Sequence, residues 1–255
     1  MEKFYLDVVC ADGSGCIGYA TKLAGVGLPL SPAALLMWGA EENEPPTQVR
    51  TLRGKLPALV DGTWQWDCPR LAVSGTWRSQ TPPIGQSLWS DASGAVSWEN
   101  FAPRAEVTLR VGDRQFQGLG YAERMQVTIA PWHLPIDSLH WGRFVSAETS
   151  VVWIAWEHDT QRNWLWHDGQ PRELHAVSPD AVTWHGGRID FVARRILRTG
   201  RLDETVFHRW PRVARWLPAQ IRAYEETKWC SRATLRATDG TPTDGWAIHE
   251  FVRFQ

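Results

Sequence analysis

A carboxyl group in an aromatic setting is the most suggestive chemical feature of the sequence. Glu123 follows the strand-like run GLGYA within the segment 118–144, which also holds Trp132 and Trp141. Alternation along a strand places Tyr121 and Glu123 on one face. Among such rings the ionised carboxyl is desolvated, which favours a neutral acid able to protonate an alkene or a carbonyl. The segment therefore predicts a proton donor at Glu123, with Tyr121 beside it.

Basic residues near this segment offer the alternative that Glu123 is structural. A pair with Arg143 or Arg104 would keep the carboxylate ionised at the end of a strand. Arg143, in the run WGRF, is also a candidate to bind a ligand oxygen through its planar guanidinium, or else to bridge strands through their carbonyl groups. We therefore treat Arg143 as a third candidate catalytic residue and keep both interpretations open.

Tryptophan is the outlier of the composition, with 17 residues against four tyrosines. A chain this rich in indole rings has a very aromatic core, a pocket for a flat or apolar ligand, or both. Strand spacing puts Trp164 and Trp166 on one face and separates Trp153 from Trp156, so that not every ring can line one pocket. The predicted ligand contacts are Trp64, Trp132, Trp141, Trp156, Trp166, His140 and Glu250.

Histidine offers candidate bases but no metal site. His133 and His140 bracket the run LPIDSL, and either could act as a base, with a solvated side chain as the alternative. His158, His167 and His175 are nine and eight residues apart, a spacing without local ligand geometry. The sequence also lacks a phosphate-binding loop, a G-x-S-x-G elbow and an H-E-x-x-H motif. We therefore expect no metal and no cofactor.

The bulk composition narrows the range of partners. The 255-residue chain carries a net charge of −1 and 22% charged residues, which gives no general attraction to nucleic acid or anionic lipid. The N-terminus has no apolar signal core, and no stretch approaches the ~18 apolar residues of a membrane span. We expect a cytoplasmic protein whose partner is a small hydrophobic molecule. Its four cysteines are expected to be free, although Cys10 and Cys16 could meet across the turn ADGSG.

The pattern of short β-rich runs predicts an all-β protein. Two such runs flank the D-G turn near the N-terminus, and turn signals recur every ~8–12 residues, which is typical of sandwiches and barrels. Only two segments favour helix, 31–42 and 211–226, and Pro218 interrupts the second. A stretch rich in Pro, Gly and Ser, residues 79–97, is predicted to be a loop.

Two segments suggest an internal repeat. Residues 103–123 begin with Pro-Arg-Ala and residues 231–250 with Ser-Arg-Ala. Both continue through a T-L-R strand, an Asp-containing turn, a glycine, an aromatic residue and a glutamate. The repeat makes Glu250 the equivalent of Glu123. It predicts two related β units, which we place at residues 1–136 and 137–255. Chance similarity between two hairpins is the alternative.

The run GLGYAE, followed by P-W-x-L-P and LHWGRF, resembles the lipocalin-like group that contains carotenoid 1,2-hydratases (hydroxyneurosporene synthases), AttH-like proteins and, more distantly, tocopherol cyclases. The opening EKFYLDVV…GCIGYATKL is similar to the N-terminal hairpin of that group. The resemblance implies two connected lipocalin-like (calycin) β-barrels or half-barrels with an apolar pocket. It also implies cofactor-free hydration, cyclisation or isomerisation of isoprenoid or polyketide-like molecules.

Three functional hypotheses follow. The first is a cofactor-free hydratase, cyclase or isomerase that uses Glu123 as its proton donor in a Trp-lined cavity. The second is a binding protein that sequesters a hydrophobic molecule without reaction. The third is an interaction module with a solid core.

Overall fold

The computed structural model describes residues 1–23, 30–41, 43–130, 133–201, 224–238 and 240–254. The chain divides into two compact units, Met1–Ile129 and Ala130–Gln255, which we term unit 1 and unit 2. Each unit is built on one antiparallel sheet; one sheet forms a half-barrel and the other a nearly closed barrel. The predicted all-β fold of two barrels or half-barrels is confirmed.

Unit 1 carries ten described strands in one sheet. They are β1 (Glu2–Cys10), β2 (Gly15–Lys22), β3 (Ala33–Trp38), β4 (Thr47–Thr51), β5 (Ala58–Val60), β6 (Thr63–Cys68), β7 (Val73–Ser79), β8 (Ile84–Asp91), β9 (Gly94–Val111) and β10 (Arg114–Val127), with a short 3-10 turn at Pro69–Leu71. Their order across the sheet is β4-β3-β2-β1-β10-β9-β7-β6-β5, and β8 pairs with the first half of β9. The central strands β1, β10 and β9 therefore hold the predicted site.

Unit 2 carries nine described strands. They are β11 (Ser138–Val145), β12 (Ser150–Glu157), β13 (Arg162–His167), β14 (Gln170–Arg172), β15 (Leu174–Val177), β16 (Ala181–Trp184), β17 (Gly187–Arg201), β18 (Glu225–Ala237) and β19 (Thr243–Arg253). Their order is β14-β13-β12-β11-β19-β18-β17-β16-β15. This order matches that of unit 1 strand for strand, with the long β17 in the place that β7 and β8 share.

The repeat predicted from sequence is confirmed by this topology, because the β9–β10 and β18–β19 hairpins hold the same positions in their sheets. The strand register gives the residue equivalences. Glu123 lies opposite Tyr5 of β1, and Glu250 lies opposite Trp141 of β11. Glu123 and Glu250 are thus equivalent, and so are Ala122 and His249, which precede them.

Side-chain alternation gives each sheet one face that surrounds an apolar core. In unit 1 this inner face includes Leu6, Ala122 and the fully buried rings of Trp66 and Trp77. Both indoles are satisfied, because Trp66 Nε1 donates to the Lys55 carbonyl over 2.7 Å and Trp77 Nε1 donates to the Asp7 carbonyl over 2.9 Å. The inner face of unit 2 is built in the same way around residues such as Phe144, Trp153, Trp184 and Leu235.

Two secondary-structure predictions are wrong. Residues 33–38 of the predicted helix 31–42 form β3, because the run AALLMW buries its side chains on both faces between β2 and β4, and sheet pairing overrides helix propensity. The predicted loop 79–97 contains β8 and the start of β9. The predicted helix 211–226 lies outside the described residues up to position 223, and its last two residues begin β18.

The four cysteines are free thiols, as expected. Cys10 and Cys16 flank the β1–β2 turn without a bridge between them. Cys16 is completely buried on the inner face of unit 1, and this burial raises the pKa of its thiol. A disfavoured thiolate makes Cys16 a poor nucleophile.

Candidate active site

Glu123 lies on the face of the unit 1 sheet that is opposite the apolar core. Its neighbour Ala122 belongs to the core, and successive residues of a strand point to opposite faces. The residues across from Glu123 are Tyr5 on β1 and Asn100 on β9. Glu123 is half-buried, whereas Tyr5 and Asn100 are buried. A row of polar and aromatic groups therefore crosses three central strands at this level.

Two neutral donors hold the carboxyl group of Glu123. The hydroxyl of Tyr121 donates to Oε2 over 2.5 Å, and the indole Nε1 of Trp98 donates to the same oxygen. The arrangement fixes the orientation of the carboxyl group and so preorganises it for proton transfer.

Two further tyrosines pack edge to face and hold Tyr121 in position. Its ring packs against that of Tyr5 edge to face, with centroids 6.0 Å apart, and Tyr5 packs against Tyr19 in the same way at 5.5 Å. Lys3 Nζ lies 5.6 Å from the centre of the Tyr19 ring. Such contacts restrict ring motion and add a favourable quadrupole interaction. The donor to Glu123 is therefore fixed by side chains from two further strands.

An irregularity in the β9–β10 ladder accompanies the site. The register shifts twice, between Gly120 and Ala122 and between Ala122 and Glu123. At Gly120 the backbone of β1 approaches so closely that a Cβ atom would overlap the carbonyl oxygen of Asp7, which explains the glycine. Bulges re-aim side chains and are frequent next to active sites. Here the shifts bring Asn100 opposite Glu123.

A groove of about 340 Å³ lies between β8, β9 and β10. Arg124, Glu99 and Trp98 line it, and Arg124 forms ion pairs with Glu99 at 2.5 Å and with Glu2 at 3.4 Å. The remaining lining residues are Pro83, Ile84, Gly85, Gln86, Ser87, Ser97 and Gln126. Strand alternation places Arg124 on the face of β10 opposite to that of Glu123, so the sheet separates the groove from the carboxyl group.

Glu250, the equivalent of Glu123 in unit 2, lies in an ion-pair network. It pairs with Lys228, whose Nζ is also 3.6 Å from Glu226 and 5.6 Å from the centre of the Trp141 ring. Arg198 binds both oxygens of Glu226 at 2.7 Å. Lys228 is almost completely buried. A carboxylate paired with a buried ammonium serves structure rather than proton donation.

The other predicted residues of unit 2 divide between the two faces of its sheet. The strand register places Arg143, Trp141, Trp156 and Trp166 on the face of Glu250. His140 lies on the inner face instead, where its ring packs 4.5 Å from that of Phe251. The predicted set in this unit is therefore not one constellation.

Two of these side chains bond to backbone carbonyls. Arg143 is fully buried, and its Nη1 donates to the carbonyl of Trp246 over 2.9 Å, which is the strand-bridging role. The indole of Trp156 donates to the carbonyl of Pro135 over 2.7 Å. These contacts support the structural interpretation of Arg143, and its ligand-binding role remains a prediction.

The inner face of unit 2 contains a buried polar pair that the sequence did not indicate. His249 stacks on Phe191 and Trp229, with ring centroids at 4.1 and 5.0 Å, and its Nε2 lies 2.9 Å from the hydroxyl of Ser231. Burial lowers the pKa of His249 to about 3, with Arg194, Lys228 and His140 acting in the same direction. Burial also lowers the pKa of His140. Both imidazoles are therefore neutral at pH 7.

Among the remaining predicted residues, Trp64 does not join Glu123. Trp64 lies on the inner face of unit 1, stacked on Phe101 with centroids 3.7 Å apart, so the sheet separates it from the carboxyl group. Trp132 lies outside the described residues. His133 is exposed. Of the predicted residues in unit 1, the structure thus brings together Glu123 and Tyr121, and it adds Trp98 and Asn100.

Some classes of site are absent from the parts of the chain that the structure describes. There, no three His, Cys, Asp or Glu side chains are placed to share a metal ion. Within the same ranges, no helix has the length and apolar character needed to cross a membrane.

Solved structures reproduce this architecture over the whole chain. Kievitone hydratase from Nectria haematococca superposes with a TM-score of 0.58 at 9% identity, over 99% of this chain and 88% of that one. CghA with Sch210972 gives a TM-score of 0.58 at 9% identity, with coverage of 100% and 88%. An AttH-like protein from Nitrosomonas europaea gives 0.56 at 9% identity, with coverage of 97% and 91%.

The chain shares their fold. The likeness extends across both units, because the coverage is nearly complete in each comparison. No protein-family model matches the sequence, and no curated protein is significantly similar to it. The comparisons therefore establish the fold, while chemistry must be argued from the side chains of this chain.

Proposed function

We propose that the protein is a cofactor-free enzyme of the hydratase, cyclase or isomerase class, which acts on a small hydrophobic molecule of isoprenoid or polyketide type. The observation that carries the proposal is the carboxyl group of Glu123, held by Tyr121 and Trp98. The shared fold adds support, because one structure with this fold is a hydratase by name. Reactions of this class need an acid, a base and a dry aromatic wall.

The proposed chemistry is a proton transfer that begins and ends on one carboxyl group. Glu123 gives its carboxyl proton to a carbon of a substrate alkene, the π electrons form the new C–H bond, and a carbocation remains on the other carbon. The resulting carboxylate is stabilised by the two hydrogen bonds at Oε2. In a hydration, water adds to the cation and then loses a proton, and in an isomerisation a neighbouring C–H loses its proton. In a cyclisation, a second alkene attacks the cation and moves the positive charge to another carbon, next to which a C–H then loses its proton. In each case the proton released returns to Glu123.

The aromatic side chains near the carboxyl group suit a cationic intermediate. The faces of Trp and Tyr rings attract positive charge, with about 0.5–2 kcal/mol for each well-placed ring. Trp98 is buried and donates a hydrogen bond to the acid. It is therefore the ring that we expect to contact the reacting carbon.

Deuterium incorporation provides a test that does not require the product to be known. The protein is incubated in D₂O with a panel of isoprenoids, polyenes and polyketide-like enones, and the mass shift of each compound is recorded. All three reaction types leave a deuteron on carbon. We expect incorporation with the wild-type protein and a decrease of at least about 100-fold in Glu123→Gln, which keeps the size and the acceptor but lacks the acid.

The matched control is Glu106→Gln on β9, because Glu106 is exposed on the same strand pair. It should leave incorporation unchanged. Binding of the same compounds is measured in parallel by calorimetry. Incorporation that persists in Glu123→Gln would overturn the proposed role of Glu123. Binding by the wild-type protein without any incorporation across the panel would identify a carrier instead of an enzyme.

A further inference from the structure

Asn100 carries a buried donor that the protein does not use. Its side chain has no exposed surface, and its Oδ1 accepts a hydrogen bond from the Ala102 N–H over 3.2 Å. This bond fixes which end of the amide is Nδ2. Among the described residues, Nδ2 has no hydrogen-bond partner. A buried, unsatisfied amide lowers the stability of the folded protein, so such a group calls for a functional explanation.

The unused donor lies on the face of the candidate acid. Asn100 is directly opposite Glu123 across the β9–β10 ladder, and residues that oppose each other in antiparallel strands point to the same side. Trp98, two residues earlier on β9, confirms this face through its hydrogen bond to Glu123. On the other side of Asn100, its partner on β8 is Ile84. The amide and the candidate acid therefore face the same side of the sheet.

The local backbone holds Asn100 in place for this role. The double register shift of β9 against β10 makes Asn100 the partner of Glu123. The hydrogen bond to Ala102 then spans the same irregular stretch. An apolar residue of similar size at position 100 would avoid the cost of an unsatisfied amide in the free protein. A ligand that supplies an acceptor would satisfy the amide and remove this unfavourable contribution.

We propose that Nδ2 of Asn100 binds a hydrogen-bond-accepting oxygen of the substrate, and that the substrate is therefore an oxygenated molecule, such as a ketone, enone or phenol, rather than a bare hydrocarbon. This inference rests on the proposed site at Glu123 and deepens it. Asn100 is here a specificity-determining and positioning residue: it anchors the oxygen within one strand spacing of the acid, so that the alkene to be protonated lies close to that oxygen.

The test compares pairs of compounds that differ only in a carbonyl group. Acetylnaphthalene is compared with ethylnaphthalene, and methylheptenone with methylheptene, by isothermal titration calorimetry at fixed pH. In the wild-type protein we expect the ketone of each pair to bind at least about tenfold more tightly than the hydrocarbon. In Asn100→Leu, which has similar size but no donor, the preference should disappear, mainly through weaker binding of the ketone.

A second variant keeps the test decisive if Asn100→Leu does not fold. Asn100→Asp retains an acceptor for the Ala102 N–H but lacks the amide donor, and it should also lose the preference. The matched control is Asn163→Leu, because Asn163 is an exposed asparagine on β13. Circular dichroism verifies that each variant folds.

Three outcomes decide the inference. Loss of the ketone preference in both Asn100 variants, with the preference intact in Asn163→Leu, supports it. Equal binding of ketone and hydrocarbon by the wild-type protein would overturn it, since the amide is then satisfied by water alone. A preference that survives in a folded Asn100 variant would overturn it as well. Glu123→Gln separates the two proposals, because it should abolish deuterium incorporation and retain the ketone preference.

Discussion

Glu123 and Glu250 occupy the same place in two sheets of identical strand order, yet their surroundings differ in kind. Glu123 accepts hydrogen bonds from two neutral groups, a phenol and an indole. Glu250 pairs with the buried ammonium of Lys228, which is its direct partner on β18 as Asn100 is the partner of Glu123 on β9. At one position of the repeat the carboxyl group thus faces an amide across the ladder, and at the other it faces an ammonium.

The difference shows how a repeated fold can separate stability from chemistry. A carboxylate next to a cation is held in its ionised form and gives up its proton-donating capacity. The hydrogen bonds from Tyr121 and Trp98 fix the orientation of the carboxyl group of Glu123. The inner faces of the two sheets differ as well. In unit 2, His249 and Ser231 form a buried polar pair, whereas the residue equivalent to His249 in unit 1 is Ala122, which lies in the apolar core. The buried polar residues of the two units therefore occupy different positions of the same strand arrangement.

The largest expected contrast concerns stability. Glu250→Gln leaves Lys228 buried with its nearest anion removed, and we expect the free energy of unfolding to fall by about 3 kcal/mol. Glu123→Gln retains an acceptor for both neutral donors and should lower it by only about 1 kcal/mol. Urea denaturation followed by circular dichroism measures both values, with Glu106→Gln as the reference.

A double variant sharpens this contrast. Lys228→Met together with Glu250→Leu removes both charges, so most of the stability lost in Glu250→Gln should return. The Glu226–Arg198 pair stays intact in that variant. Equal losses for Glu250→Gln and Glu123→Gln would show that the two positions are alike after all.

The next effect is a pH dependence that belongs to unit 2. Burial lowers the pKa of His249 to about 3 from its ordinary value of 6.5. Between these two values the unfolded chain binds a proton that the folded chain does not, so the contribution is complete above pH 6.5 and is lost as the pH falls toward 3. We expect a loss of about 2 kcal/mol at pH 5 from this residue.

His249→Gln tests this expectation, since the amide can still bond to Ser231 but does not titrate in this range. Urea midpoints at pH 7, 6 and 5 should decline less steeply in His249→Gln than in the wild-type protein. The control is His133→Gln, because His133 is exposed. Parallel declines in wild-type and His249→Gln would show that the imidazole is accessible to protons in the folded state.

The smallest effect concerns the two donors of Glu123. Tyr121→Phe keeps the ring that packs on Tyr5 and removes one hydrogen bond to Oε2. We expect deuterium incorporation to fall about tenfold, because one donor that stabilises the carboxylate after proton transfer is lost. Binding of the substrate panel should stay nearly constant. An equal fall in binding affinity would assign Tyr121 to ligand contact rather than to the acid.

Much of the fold could be predicted from the sequence, because hairpins and strand faces depend on local sequence signals. The D-G and V-G-D turns and the alternating runs predict the hairpins, and the shared T-L-R…Glu pattern predicts the repeat. The same alternation correctly places Tyr121 beside Glu123 and separates Trp153 from Trp156. Each of these inferences needs only the two-residue period of a strand.

The partners of Glu123 were not accessible in this way. Regular pairing outward from the turn between Val111 and Arg114 places Ala102 opposite Glu123, because each lies nine residues from the turn. The two register shifts replace Ala102 by Asn100 and bring Trp98 within reach. A bulge depends on packing across the sheet and leaves little local trace, so neither residue could be singled out beforehand.

What the amino-acid order settled by itself is the all-β class, the repeat and the shared face of Tyr121 and Glu123, since these follow from periodicity and turn chemistry. What needed the folded chain is the identity of the groups around each glutamate. Register shifts and cross-strand neighbours decide whether a carboxyl group meets a phenol, an amide or a buried ammonium. Those contacts join residues distant in sequence, and for that reason two equivalent glutamates acquire different chemistry.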